Sequence, residues 1–223
     1  HTANFRGGGR MKAFEVSLPP GFLRFDLPVT DDAAIRAVVT RLAANVPEQS
    51  FAGVAGGIHA SFHAMLRQLE ADGCFLLFMA APTSMLGVAQ PMITFRAWDR
   101  QVADDPMAAL MTIVGRDANA ELVDLDPAVC VRTHATTPID RDQALLRAHD
   151  EWDISDPDGR LEALDFHRVT AVYTLGVPGE PDSWFEAVCV SNLPTPAGEE
   201  PPVAGVLELF DGILTTFRWT DDA

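Results

Sequence analysis

The sequence predicts an α+β fold, an antiparallel β-sheet with helices packed on it, and three observations carry that prediction. Val203, Val206, Leu207, Phe210, Ile213, Leu214 and Phe217 recur at helical spacing near the end of the chain and form one apolar stripe. Two strand-like runs precede it. In the first, Val169, Ala171, Tyr173 and Leu175 alternate on one side, and the second returns from Trp184 to Ser191. Helical patterns fall early, in the middle and last, with hairpin-like pairs between them, an order that suits an antiparallel sheet better than a doubly wound parallel one. A terminal amphipathic helix after two strands must bury its stripe on their sheet, so this helix is expected in the core.

The chain of 223 residues is long enough for one large domain or two small ones. It has no internal repeat, low-complexity segment or long linker, so residues 11–223 read as a single domain. Residues 1–10, His-Thr-Ala-Asn-Phe-Arg-Gly-Gly-Gly-Arg, read as an expression-tag remnant ahead of Met11 and are left outside the expected fold.

The elements follow in order. Phe14, Val16 and Leu18 alternate before a turn at Pro19-Pro20-Gly21, and Leu23, Phe25 and Leu27 alternate after it, giving two short strands. Thr30 is placed to cap a helix with Asp31 and Asp32 in its first turn, where acidic groups favour the positive helix end. Its stripe is Ile35, Val38, Val39, Leu42 and Val46, and Pro47 stops it. Residues 48–57, with Gly53, Gly56 and Gly57, read as a loop. Ile58, Phe62, Met65, Leu66 and Leu69 define a second helix ending near Gly73. Cys74 to Ala80 is apolar throughout, as a central strand covered on both faces is.

Residues 81–90 read as a connection and Pro91 to Trp98 as a half-buried strand. Asp104 or Asp105 caps a third helix with Pro106 in its first turn, a stripe of Met107, Leu110, Met111 and Val114, and Gly115 to end it. Strand material from Leu122 to His134 is interrupted by Pro127 and is clearest over residues 129–133. Asp140 to Trp152 has short-helix spacing through Leu145, Leu146 and His149, and Asp153 to Gly159 is an acidic loop. Pro178-Gly179 turns the chain between the two long strands, and Asn192 to Gly198 reads as a loop before the terminal helix.

The Val172-Tyr173-Thr174 strand ending in Val177-Pro178-Gly179, the Trp184-Phe185 return strand, the proline-rich loop and the Leu-Glu-Leu-Phe-Asp-Gly-Ile-x-x-Thr-x-Arg-Trp run of residues 207–219 carry a resemblance. So does the Leu-Pro-Pro-Gly-Phe-x-x-Phe-Asp-Leu-Pro run of residues 18–28. These segments resemble actinobacterial proteins whose shape is similar to the PsbP/Mog-type α/β/α sandwich. The resemblance spans residues 166–219 and, more loosely, 11–80. It implies a non-enzymatic binding or accessory protein that acts through protein–protein contact, in a secretion or assembly system. It brings no catalytic motif and therefore no site residues.

Acidic residues outnumber basic ones 32 to 16, and a formal charge of −16 repels phosphate-rich partners. Lys12 is the single lysine and no basic cluster is present, so nucleic acid is not an expected partner. No run approaches the 18 or so consecutive apolar residues of a membrane span, so membrane insertion is not expected. Cys74, Cys130 and Cys189 are odd in number, widely spaced and set in apolar runs, which suits reduced core thiols and a cytoplasmic location.

His59 and His63 are the candidate metal ligands, since four residues on a helix bring two imidazoles to one side. The run His-Ala-Ser-Phe-His lacks the glutamate of the metalloprotease pattern. At about 100° per residue, His59 lies about 76° and His63 about 116° from the centre of the apolar stripe, at the border of the buried face. A third ligand would have to come from His134, His149 or His167. The expectation is accordingly no bound metal and no cofactor. A small-ligand-binding protein or metal-dependent enzyme using His59 and His63 is the alternative function.

Asp153, Asp156 and Asp158 fail the register of a calcium loop, because Pro157 falls at its fifth position and Asp158 at its sixth. Gly53, Gly56 and Gly57 precede a predicted helix, as a phosphate cradle does, but lack the dinucleotide and P-loop spacings. There is no G-x-S-x-G elbow to anchor a hydrolase triad. Trp98, Trp152, Trp184 and Trp219 are assigned to the core or its rim.

Overall fold

A computed structural model describes residues 2–7, 10–29, 32–42, 48–81, 91–98, 106–125, 128–140, 163–177 and 180–220. In chain order the elements are strands β1 (Thr2–Gly7), β2 (Arg10–Glu15) and β3 (Phe22–Asp26), then helices α1 (Asp32–Leu42) and α2 (Glu48–Ala71). Strands β4 (Cys74–Ala80) and β5 (Met92–Trp98) precede helix α3 (Pro106–Arg116). Strands β6 (Ala120–Leu125), β7 (Ala128–Ile139), β8 (Leu164–Val177) and β9 (Glu180–Pro196) follow, then helix α4 (Val203–Leu214) and strand β10 (Arg218–Thr220).

Seven strands form one sheet in the order β3-β4-β5-β9-β8-β7-β6, and every neighbouring pair is antiparallel. The architecture is therefore α+β, with an antiparallel sheet as its main element. A second, three-stranded sheet has the order β1-β2-β10. Part of the segment read as a tag remnant thus forms a strand, with Thr2 opposite Glu15 and Gly7 opposite Arg10.

Period-2 alternation sends neighbouring residues of the large sheet to opposite faces. Leu76 and Phe78 of β4, Ile93 and Phe95 of β5, Tyr173 of β8 and Phe185 of β9 enter one cluster with Val206, Leu207, Phe210, Ile213 and Leu214 of α4. Leu77, the residue between Leu76 and Phe78, enters another with Ile35, Val38 and Val39 of α1 and Ile58, Phe62 and Leu66 of α2. Leu110 of α3, Val131 and Trp184 make a third. The uniformly apolar β4 sequence is explained by this arrangement, since both of its faces are covered.

The small sheet is held to the large one by aromatic rings. The Phe14 ring lies 5.1 Å from Phe95 and 5.0 Å from Phe217, and Phe185 lies 5.3 Å from Phe217 and from Trp219. Offset and edge-on pairs at these separations add about 0.5–1.5 kcal/mol each beyond area burial.

Three expectations are corrected. The first concerns residues 48–57, read as a loop, which lie in the first turns of a 24-residue α2. Three glycines cost about 1 kcal/mol each in helix propensity, but the buried stripe of Ile58, Phe62 and Leu66 anchors the rest of the helix, and helix growth from an anchored segment is far cheaper than nucleation. A Cβ at Gly53, Gly56 or Gly57 would meet open space, and none of the three has a positive φ. Gly56→Ala is therefore expected to raise stability by about 0.5–1 kcal/mol in a urea titration, whereas the same change in an unstructured loop would leave the midpoint nearly unmoved.

The second correction concerns Phe217, assigned above to the terminal helix. That helix ends at Leu214 with Thr215 as its C-cap. Its last turn tightens, with the Thr216 amide donating to the Ile213 carbonyl at 3.1 Å and the Phe217 amide to Leu214 at 2.9 Å. The Thr216 hydroxyl donates to the Ile213 carbonyl at 2.6 Å and accepts from the Ser17 amide at 2.8 Å. The chain then turns into β10, where Trp219 pairs with Phe14, so Phe217 reaches the core from beyond the helix.

The third correction concerns residues 192–196, read as part of a loop. They continue β9, with Asn192 opposite Arg168 and Pro196 opposite Leu164, because the 14-residue β8 offers backbone that far. Leu193 and Thr195 turn inward and are buried, and Asn192 and Pro194 are half-buried. Gly115 lies inside α3, one residue before its end. The expected helix of residues 140–152, the acidic loop of 153–159, the Pro178-Gly179 turn and the caps at Thr30, Asp104 and Asp105 lie outside the described residues, as do Trp152 and His149.

Candidate functional site

His59 and His63 come together with a residue that the sequence did not select. Ile58 and Phe62 of α2 pack in one cluster with Ile35, Val38 and Val39 of α1, which lays the two helices side by side. The next residue after each of those anchors is a histidine, so both imidazoles stand at the border of the packed face, one turn apart. Asp32 opens α1 on the same side. The His59 ring donates through Nε2 to Asp32 Oδ1 at 3.0 Å, and His63 Nε2 donates to the same oxygen at 2.9 Å. The two rings are 4.5 Å apart and edge-on.

Arg36, one turn along α1, binds the other carboxylate oxygen, with Nη1 2.9 Å from Oδ2. Hydrogen bonding from His63 holds the Asp32 carboxyl below its ordinary value, and His59 and the Arg36 charge add to this against an opposing desolvation. The side chains are partly open to solvent, 33% for His59, 38% for His63 and 40% for Asp32, so water or a small ligand can reach all three. Among the described residues these three form a group whose nitrogen and oxygen atoms lie within 4.8 Å of one another. His134 on β7 and His167 on β8 do not join them, and His149 lies outside the described residues.

A second polar group joins the large sheet to α4, with Arg132 and Tyr173 buried and Asp211 and Glu121 partly open to solvent. Tyr173 Oη donates to Asp211 Oδ1 at 2.7 Å, Arg132 Nη1 donates to Asp211 Oδ2, and Arg132 Nη2 donates to Glu121 Oε2 at 2.5 Å. Arg132 is a buried guanidinium whose Nε has no hydrogen-bond partner among the described residues. Burial works against its charge, but the Asp211 carboxylate outweighs this and raises its pKa. Burial first, then Cys189 and Asp211, push the Tyr173 phenol well above its usual range. With this geometry Asp211 ties α4 to the sheet, and the phenol stays protonated. On the opposite face Glu186 accepts from Arg96 Nε at 2.6 Å, and its Oε2 is also 2.6 Å from Arg96 Nη2.

The three cysteines are free and buried, on β4, β7 and β9. Burial pushes the Cys130 thiol up to about 12 and raises Cys74 and Cys189 as well. Because the thiolate is the reactive form, all three should resist a thiol reagent in the native protein at pH 8. All three should then titrate stoichiometrically in denaturant, and rapid native labelling of any one would contradict the packing described above.

The glycine segment offers no phosphate cradle, since Gly53, Gly56 and Gly57 lie inside α2 and not ahead of it. An open depression of about 430 Å³ lies between residues 17–19 and the side of α4 from Glu208 to Ile213, away from the histidine pair. Comparison with protein-family models, curated proteins and solved structures finds no match. The sequence marks His59 and His63 by their spacing. Nothing in it marks Asp32 beyond an acidic residue in a first helical turn, since its partnership depends on how α1 docks on α2.

Proposed function

We propose that this chain is a non-enzymatic binding or accessory protein that acts by protein–protein contact, in an architecture of the PsbP/Mog sandwich type. The observation that carries this reading is at one edge of the large sheet. Among the described residues the exposed large hydrophobic side chains are Met111 and Leu122, 49% and 46% accessible. They sit on α3 and on β6, which is an edge strand of the seven-stranded order. An edge strand carrying an exposed leucine is a template for a partner's strand. A formal charge of −16 overall favours a basic partner in a secretion or assembly complex. The same charge disfavours nucleic acid. No helix among the described residues is long and apolar enough to cross a membrane.

A Leu122→Lys/Met111→Lys double variant tests the reading. Partners captured from the source organism by the wild-type protein should be lost by the variant, and their binding should weaken as salt is raised. Retention of the same partners by the variant would reject this surface. Measured turnover of a small molecule would reject the non-enzymatic reading in favour of the alternative, a metal-dependent enzyme or small-ligand binder at His59 and His63. The convergence on Asp32 favours that second reading, because it completes a three-ligand set.

A further inference from the structure

We propose that Asp32, His59 and His63 form a binding site for a single divalent transition metal ion of the zinc class. The inference goes beyond the protein-contact reading and is independent of it, because the site lies on α1 and α2 and not at the α3–β6 edge. Without a third ligand the histidine spacing had predicted no metal. Asp32 alters that expectation.

The donor set is two imidazole nitrogens and one carboxylate oxygen. Zinc accepts this combination, whereas magnesium and calcium select oxygen-only shells. The geometry is close to what such an ion needs. Zinc bonds of about 2.0–2.1 Å in a tetrahedron place neighbouring ligand atoms about 3.3 Å apart. The His59 and His63 Nε2 atoms lie 3.0 and 2.9 Å from Asp32 Oδ1 and within 4.8 Å of each other, so small side-chain shifts bring the three atoms to the separations of one ion's shell. The two nitrogens and the oxygen come from two helices that packing of Ile35, Val38, Ile58 and Phe62 already holds together. The ligands therefore need no folding around the metal.

The surroundings add two features. Arg36 occupies Asp32 Oδ2 at 2.9 Å and leaves Oδ1 directed at the histidines, the role of an outer residue that orients a monodentate carboxylate. The partial exposure of all three side chains leaves the fourth coordination position open to water, as in zinc sites with three protein ligands. The ion would take the place of the Nε2 protons, each neutral ring then carrying its proton on Nδ1, and it would link the start of α1 to the middle of α2.

The test uses the full chain, stripped with chelator, and zinc alone as titrant. Calorimetry should give about one zinc per chain. Cobalt in its place should give the visible absorption of a site with nitrogen and oxygen ligands. His59→Ala/His63→Ala should abolish the binding, and Asp32→Ala should weaken it more than Arg36→Gln does. The arginine change should cost about 10–100-fold, the usual range for an outer-shell partner. All of these side chains are partly exposed, so the variants should match the wild type in circular dichroism and in melting temperature without zinc. Zinc should then raise the melting temperature of the wild type most, that of Asp32→Ala and Arg36→Gln less, and that of the double histidine variant not at all. Equal zinc affinity in the wild type and the double variant would overturn the site, as would selective binding of calcium or magnesium over zinc.

Discussion

Replacing Phe210 with alanine is expected to destabilise the protein by about 3–5 kcal/mol, the usual cost of emptying a large aromatic from a packed core. Phe210 is completely inaccessible and shares a cluster with Leu76, Phe95, Tyr173 and Phe185 of the large sheet. It occupies the middle of the α4 stripe, with Val206 and Leu207 on one side and Ile213 and Leu214 on the other. A cavity there has rigid strands on one side and a short helix on the other, so collapse can recover little of the lost contact. Against a typical total of about 5–15 kcal/mol, such a loss would move the urea midpoint far toward zero. Glu208→Ala, on the exposed side of the same helix, should change stability by no more than about 0.5 kcal/mol. Similar midpoints for both variants would show that α4 is peripheral to the fold.

The α4 stripe was legible because Val203, Val206, Leu207, Phe210, Ile213 and Leu214 follow the 3.6-residue period. The same period misplaced Phe217, which fits the helical angle but follows a turn. Thr215 and Thr216 cap the helix through their own hydroxyls, at 2.9 Å to the Gly212 carbonyl and 2.6 Å to Ile213, and periodicity counts do not register such local competition. Glycine content made residues 48–57 look like a loop, because propensity is local while the stability of α2 comes from a stripe that begins at Ile58. Prolines 194 and 196 hid the end of β9 for a related reason, since strand pairing there depends on how far β8 extends.

The functional side chains divide along the same line. His59 and His63 lie four apart on one helix, so their spacing was visible. Asp32 is 27 residues from His59, and it joins the pair only through the docking of two helices. The contact between Arg132 and Asp211 is longer-range still, spanning 79 residues from β7 to α4. Periodicity leaves Asp211 at the border of the apolar stripe, where nothing marks it as the partner of a distant residue. In the folded protein it faces a buried guanidinium and a buried phenol.

That contact carries the second large effect. Asp211→Ala removes the acceptor of both Tyr173 Oη and Arg132 Nη1. Deleting one partner of a buried ion pair costs about 3–5 kcal/mol, because the surviving charge stays desolvated. Asp211 is itself 29% exposed and Arg132 keeps its bond to Glu121, so the cost should fall at the lower end, about 3 kcal/mol. Tyr173→Phe deletes a single hydrogen bond to a charged group and should cost about 1.5 kcal/mol. Glu121→Ala should cost least, about 0–1 kcal/mol, because its carboxylate is 57% exposed and gains little from pairing. Combining Asp211→Ala with Tyr173→Phe should cost less than the sum of the two, since the phenol that the first change leaves unsatisfied is absent from the double variant. Urea midpoints for the four variants give this ordering directly. A Glu121→Ala cost equal to that of Asp211→Ala would place the dominant partner of Arg132 at the sheet edge, and strict additivity of the Asp211 and Tyr173 changes would mean that the phenol and the carboxylate are not coupled.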